Sequence, residues 1–249
     1  LMIALLTALG FVLGVGWGLF YLVRRPRRSR PGIFPGPAAP ESWGQQCSRL
    51  MLTPDQPSLT CCPVRWLSIR TRDTQAVQLA LGLHDARPCS WSEGIGRPQN
   101  FFITPPINGW TLVFGAGLPV PDDDVDACYR FLRGLSRKLG HVQFFQRDSI
   151  LQHHAWAQVE SGRVVRAYAW AGATLWNQGV KTNAEIALGL NCFGYGENPG
   201  SDDWAMADHI VANVEKVASL AQRWSLDPAA IDGRLLAQQP GIAGNARGS

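Results

Sequence analysis

The fold of this chain is decided by residues 122–146, which read DDDVDACYRFLRGLSRKLGHVQFFQ. Apolar side chains recur three and four positions apart over residues 122–139, and this spacing predicts an amphipathic helix. Acids crowd its first turn and basic side chains its second half, which complements the helix dipole. The run VQFFQ at 142–146 then predicts a strand that follows the helix directly.

Strands and helices are predicted on both sides of this stretch. Upstream, the patterns predict strands at 64–70, 101–104 and 110–114 and a helix at 73–81. Downstream, they predict a hairpin of strands 154–160 and 163–170 and helices at 182–188 and 202–224. Three local signals predict ends of these elements, namely Gly82 as a helix C-cap, Asn108-Gly109 as a turn and Thr182 to Glu185 as a capping box. From residue 64 to residue 146 the order is strand, helix, strand, strand, helix, strand, which is the ferredoxin-like arrangement.

These predictions combine into one α+β domain. We expect it to cover residues 61–240, with a ferredoxin-like βαββαβ core that is extended by the β-hairpin and packed against the C-terminal helices. A domain of this length can bury an ordinary hydrophobic core. Residues 241–249 are rich in glycine, and we expect them to form a flexible tail.

The N-terminal segment has a different composition. Residues 1–23 read LMIALLTALGFVLGVGWGLFYLV and contain no charged side chain. As a helix they would rise about 34 Å, which exceeds the roughly 30 Å hydrocarbon core of a bilayer. We therefore expect a single transmembrane helix rather than a cleaved signal peptide or a buried globular helix.

Five arginines follow this segment directly. They are Arg24, Arg25, Arg27, Arg28 and Arg30. The positive-inside rule then predicts an inner-membrane protein with its N-terminus outside and its C-terminal domain in the cytoplasm. The same basic patch would contact anionic lipid headgroups. Because these arginines exceed the net charge of +4, the remainder of the chain is slightly acidic, which argues against nucleic-acid binding.

Three glycines and one tryptophan suggest contacts with partners. Gly10, Gly14 and Gly18 share one helix face against which another transmembrane helix could pack, although glycine is also common in membrane helices generally. Residues 24–60 combine the basic juxtamembrane patch with a Pro/Gly-rich extended linker. Trp43 lies in that linker and is a candidate partner contact, with packing on its own domain as the alternative.

The sequence carries no motif that assigns a catalytic, cofactor-binding or metal-binding residue. The six cysteines lack ligand spacing, and we expect free thiols in the predicted compartment. Asp122 and the three acids that follow it fit a helix N-terminus better than a metal cluster. His153 and His154 are adjacent on a predicted strand, so their side chains should point to opposite faces.

These features favour a non-catalytic, single-pass accessory subunit. It would dock on other transmembrane subunits and stabilise a larger membrane protein complex, such as a photosynthetic reaction centre with its antenna or a respiratory complex. No small-molecule substrate and no cofactor are expected. One alternative is a membrane-tethered ligand-binding or regulatory module. The other is an enzyme with an unrecognised site near His153, His154 and Cys192.

Overall fold

The structure is a computed structural model, and it describes residues 65–96, 101–197, 204–231 and 239–246. In chain order the elements are β1 (Arg65–Ile69), α1 (Thr74–Leu81), β2 (Leu83–Cys89), α2 (Trp91–Gly96), β3 (Phe101–Ile103), β4 (Thr111–Phe114), α3 (Val125–Leu139), β5 (His141–Asp148), β6 (His153–Glu160), β7 (Arg163–Trp170), β8 (Thr174–Gln178), α4 (Asn183–Ala187), α5 (Trp204–Trp224), a 3₁₀ turn (Pro228–Ala230) and β9 (Gly241–Ala246).

The nine strands form one antiparallel sheet in the order β2–β9–β3–β4–β1–β5–β6–β7–β8. β1 lies at its centre, paired with β4 on one side and with β5 on the other. Successive side chains of a strand point to opposite faces, so Trp66 and Leu67 enter different cores. Both are buried, which shows that helices or loops cover the two faces of the central strands.

The two faces carry different helices. Face A is covered by α1 and α3, whose Val77 and Leu132 pack with sheet residues in one hydrophobic core. Face B is covered by α2, α4 and α5, and its core is rich in tryptophan. The buried tryptophans of this second core are Trp66, Trp91, Trp156 and Trp170. The sheet is therefore the middle layer of the described fold.

Local signals in the sequence explain where the helices begin and end. Asp124 caps α3 by accepting a hydrogen bond from the Ala127 N–H at 2.8 Å. Thr182 and Glu185 form the predicted capping box at the start of α4, which is confirmed. Gly82 ends α1 in the left-handed conformation with φ of 66°, so the predicted C-cap is also confirmed.

The predicted turn between β3 and β4 is confirmed as well. Asn108 and Gly109 both have positive φ angles, 50° and 83°, as a tight hairpin turn of the Asn-Gly type requires. Ile107 and Trp110 form a β-bridge across it. The turn therefore sets the antiparallel direction of β4 relative to β3.

The predicted ferredoxin-like core with a β-hairpin extension is wrong as a description of the fold. The four strands assigned to it lie in the order β3–β4–β1–β5, but the sheet continues with β9 and β2 beyond β3 and with β6, β7 and β8 beyond β5. The additional strands β2, β8 and β9 read LHDARPC, TLWNQ and GIAGNA. These strands were not predicted, because their apolar residues alternate only weakly with polar ones. Pairing with neighbouring strands decides strand formation more than local propensity does.

The expected transmembrane helix is also corrected. Within the described residues, no helix is both long enough and apolar enough to cross a bilayer. Residues 1–23, to which that helix was assigned, lie outside the described residues. So do Gly10, Gly14, Gly18, the arginines at 24–30 and Trp43.

The C-terminal residues differ from the expected tail. We expected residues 241–249 to be flexible, whereas Gly241–Ala246 forms β9 in the interior of the sheet. β9 pairs with β2 on one side and with β3 on the other. A Cβ atom on Gly241 would collide with the Phe102 ring, so the small residues of this strand allow close packing.

Candidate functional site

The turn between β5 and β6 presents apolar side chains to solvent. Ile150 is 86% exposed and Leu151 is 60% exposed. Their backbone N–H groups both donate to the Asp148 Oδ1 atom at 2.9 Å, which fixes the turn. Gln152 follows with a positive φ of 57°. Turn tips are normally polar, so two adjacent exposed aliphatic residues on a well-bonded turn are unusual.

A carboxylate–histidine pair lies beside this turn. The Asp122 Oδ2 atom is 2.9 Å from His153 Nδ1, and the two side chains are 23% and 22% exposed. The second carboxylate oxygen of Asp122 accepts a hydrogen bond from Gln146 Nε2 at 3.1 Å. Burial alone would raise the pKa of the Asp122 carboxyl, but the hydrogen bonds from Gln146 and His153 hold it below its ordinary value.

The pairing with Asp122 also orients the imidazole. An ionised carboxylate accepts only, so His153 Nδ1 carries the proton, and in the neutral ring Nε2 is left as an acceptor. The Gln146 side chain is buried, and its Oε1 atom has no hydrogen-bond partner among the described residues. Arg65 lies close enough to interact electrostatically with Asp122. We call Asp122, Gln146, Ile150, Leu151 and His153 the rim site.

A second polar cluster lies on face B around a buried ion pair. The Arg166 Nε atom donates to Glu185 Oε1 at 2.8 Å, and the two side chains are 1% and 0% exposed. Trp156 Nε1 donates to the same carboxylate oxygen at 2.8 Å. One amino group of Arg166 donates to the Asn177 side-chain oxygen and to several backbone carbonyls, and the other lies 3.0 Å from Cys192 Sγ.

This buried cluster connects α4 and the loop after it to the sheet. Glu185 belongs to α4, Arg166 to β7 and Trp156 to β6. A buried ion pair needs every hydrogen-bonding group satisfied to offset desolvation, and these contacts meet that need for the guanidinium. Burial raises the pKa of the Cys192 thiol to about 11, although the nearby Arg166 charge opposes this. A thiol in that state is a poor nucleophile at neutral pH.

His154 is held on the same face by packing. Its ring stacks on Trp156 with an interplanar angle of 15°, and it lies against Tyr168. Asn213 of α5 places its Nδ2 atom 3.2 Å from His154 Nε2 and also donates to the Asn191 carbonyl oxygen at 2.6 Å. Burial lowers the pKa of His154 to about 4, so this imidazole is neutral near pH 7.

The structure separates the residues of the suggested enzyme site. His153 pairs with Asp122 on face A, whereas His154 contacts Asn213 and the face B aromatics, so the prediction of opposite faces is confirmed. Cys192 contacts Arg166 on face B and therefore does not join His153. Among the described residues, no group of three or more His, Cys, Asp or Glu side chains is arranged to hold a metal ion.

Several important residues were not found from the sequence. Asp122 was assigned to helix capping, but Asp124 is the cap and Asp122 instead binds a histidine 31 positions away. The one available signal at the rim site was the apolar pair Ile150–Leu151 between two predicted strands.

Comparison of this chain with protein-family models, with curated proteins and with solved structures finds no match.

Proposed function

We propose that this domain is a non-catalytic accessory module that docks on a partner protein through the rim site. The observation that carries the proposal is the exposure of Ile150 and Leu151 on a turn that Asp148 holds in one conformation. Isolated exposed aliphatic residues need no explanation, but adjacent ones on a fixed projection resemble an interface anchor. Such a projection loses little conformational entropy when it binds.

The surroundings indicate the chemistry of the partner. The acids Asp122, Asp123, Asp124 and Asp126 lie at the start of α3, and Asp122 touches the β6 residue that follows the turn. Arg65 and Arg130 offset part of this charge, since they interact with Asp122 and Asp124 respectively. We expect a shallow apolar pocket on the partner, bordered by basic side chains that complement the acidic rim.

The experiment is co-purification of the tagged full chain from the cells that produce it, under mild conditions, with quantitative mass spectrometry. The test variant is Ile150→Asp/Leu151→Asp. The matched control is Leu79→Asp/Val211→Asp, which makes the same change at two aliphatic residues exposed on α1 and α5. We expect a stoichiometric partner with the wild type and the control, and at least a roughly tenfold loss with the test variant.

Two results would contradict the proposal. One is recovery of the same partner at the same yield with the test variant. The other is an equal loss with the control, which would show a general effect of added charge. Unfolding midpoints of all three proteins should agree closely, because the substituted side chains are exposed.

A second candidate function rests on a different observation at the same site. His153 Nε2 and the buried Gln146 Oε1 are two acceptors beside one carboxylate, an arrangement that could bind a small ligand carrying N–H or O–H donors. A thermal-shift screen with small amines, alcohols and amides tests this. A ligand that raises the Tm of the wild type but not of His153→Asn supports it, and no shift with any compound removes it.

A further inference from the structure

We propose that a second copy of this chain pairs with the outer edge of β8, so that the sheets of two protomers join antiparallel across a two-fold axis. β8 is the last strand of the sheet, and among the described strands only β7 pairs with it. An edge strand leaves backbone N–H and C=O groups directed outward, where another strand can bind them. This inference is independent of the partner proposed for the rim site.

The outward groups of β8 are identified by one hydrogen bond. Asn177 lies opposite Tyr168 of β7, yet its backbone N–H donates to the Tyr195 hydroxyl at 2.8 Å. The N–H of Asn177 therefore points outward from the edge of the sheet. The Tyr195 hydroxyl accepts the hydrogen bond that a neighbouring strand would otherwise accept. Tyr195 is 64% exposed, so its hydroxyl can leave without opening the core.

One edge strand of the sheet has features that discourage pairing with another strand, and the other edge strand lacks them. The other edge strand, β2, contains a register shift, the charged residues Asp85 and Arg87, and Pro88, which has no N–H to donate. β8 reads TLWNQ and carries no charge, so two copies can approach without like-charge repulsion. An uncharged strand that pairs antiparallel with itself is self-complementary, as a two-fold interface requires.

Apolar side chains follow β8 directly along the chain. Val180 and Ile186 are both mainly exposed. Contacts of the preceding residues fix the position of both side chains. Glu185, next to Ile186, binds the buried Arg166. Gly179, next to Val180, packs so closely against the backbone of Val165 that a Cβ atom would collide. A two-fold axis at β8 would bring two such apolar groups to one interface, which adds hydrophobic burial to the backbone hydrogen bonds.

Pairing replaces the hydrogen bond that each Asn177 N–H donates within its own protomer by one that it donates to the second copy. In the centre of an antiparallel pair, two opposite residues each donate an N–H to the other's carbonyl oxygen. If Asn177 of each protomer occupies that position, each Asn177 N–H leaves its own Tyr195 hydroxyl and binds the Asn177 carbonyl oxygen of the second copy. The two tyrosine hydroxyls then bind water. No bond other than hydrogen bonds changes.

Sedimentation equilibrium of the full chain over a wide concentration range tests this proposal. The test variant is Gln178→Lys/Val180→Lys, which adds two positive charges per chain at the end of β8. The matched control is Gln75→Lys/Leu79→Lys, which adds the same charges at exposed positions on α1. We expect a monomer–dimer equilibrium for the wild type and control, and a dissociation constant at least about tenfold higher for the test variant.

Two further measurements locate the interface. Hydrogen exchange of the 174–178 segment should slow as the concentration rises. Tyr195→Phe removes the competing hydroxyl and should leave the dimer as tight or tighter. A chain that stays monomeric at every concentration overturns the proposal. So does a dimer that persists unchanged in the test variant or is lost in Tyr195→Phe.

Discussion

The two charged pairs on opposite faces of the sheet contrast in burial. Arg166 and Glu185 are completely enclosed on face B, whereas Asp122 and His153 on face A keep about a fifth of their side-chain surface in water. The buried pair has contacts from Trp156, Asn177 and Cys192, and no solvent-accessible group remains for a ligand. The partly exposed pair includes His153, which lies two positions after the exposed aliphatic residues Ile150 and Leu151.

This difference separates a structural role from a recognition role. A buried pair orders the elements that carry it, here α4 and the sheet, and its removal damages the fold. A partly exposed pair contributes little to stability, because water and salt screen its charges. Variants on face B should therefore reduce the free energy of unfolding, while variants at the rim site should reduce binding and leave the fold intact.

The largest stability effect is expected at Glu185. Replacement Glu185→Ala leaves the Arg166 guanidinium buried without its counter-ion, and we expect a loss of about 3–5 kcal/mol in the free energy of unfolding. Urea denaturation measures this. The double variant Arg166→Met/Glu185→Leu removes both charges and should lose less than the single variant. A loss below about 1 kcal/mol in Glu185→Ala would show that the pair is not structurally important.

His154 should make stability depend on pH. Its pKa is about 4 in the folded state against 6.5 for the unperturbed side chain, so the unfolded chain binds a proton first as the pH falls. The contribution of His154 is therefore fully present above pH 6.5 and declines by about 3 kcal/mol as the pH falls to about 4, with no further change from this residue below. Unfolding measured across this range should show a smaller decline in His154→Gln than in the wild type, and the remainder includes His141, whose pKa is also lowered by burial.

An intermediate effect is expected at Trp156. Replacement Trp156→Phe keeps an aromatic ring beside His154 and Tyr168 but removes the indole N–H that binds Glu185. Hydrogen bonds to charged groups contribute about 2 kcal/mol, and we expect a loss of that size in urea denaturation. An unchanged midpoint would mean that Arg166 and Thr182 alone satisfy the carboxylate.

The smallest effect on stability is expected at Asp122. Replacement Asp122→Asn should cost less than about 1 kcal/mol, because the pair with His153 is partly exposed. The lowered pKa of Asp122 means that this contribution is present above the unfolded-state value and is lost as the pH falls through the folded-state value. Urea denaturation at neutral pH checks the magnitude, and a loss as large as that of Glu185→Ala would remove the distinction between the faces.

The sequence predicted local elements better than their assembly. The helix at α3, the strands β1, β4, β5, β6 and β7, and the Asn108–Gly109 turn follow from apolar spacing and turn residues, and the structure has them. The sequence did not predict β2, β8 and β9, because many of their residues are polar, charged or small. These segments form strands through pairing with neighbouring strands. The size of the sheet was therefore underestimated.

The same limit applies to the two polar sites. Capping boxes join residues three positions apart, so Thr182 and Glu185 were recognised from spacing. The pairs Asp122–His153 and Arg166–Glu185 join residues 31 and 19 positions apart across different elements. Nothing in local spacing specifies such contacts, because they depend on how the strands and helices pack. The histidine pair was placed correctly on opposite faces because strand alternation alone decides that.

Site-specific photo-crosslinking tests most directly whether the rim site binds a partner protein. A benzophenone amino acid replaces Ile150 in one version of the full chain and Leu79, which is also mainly exposed on α1, in another. We predict that illumination of intact cells joins position 150 to a single partner protein in high yield and that position 79 gives no such product. Partner binding through the rim site is contradicted if both positions give the same products, or if only position 79 forms a discrete product.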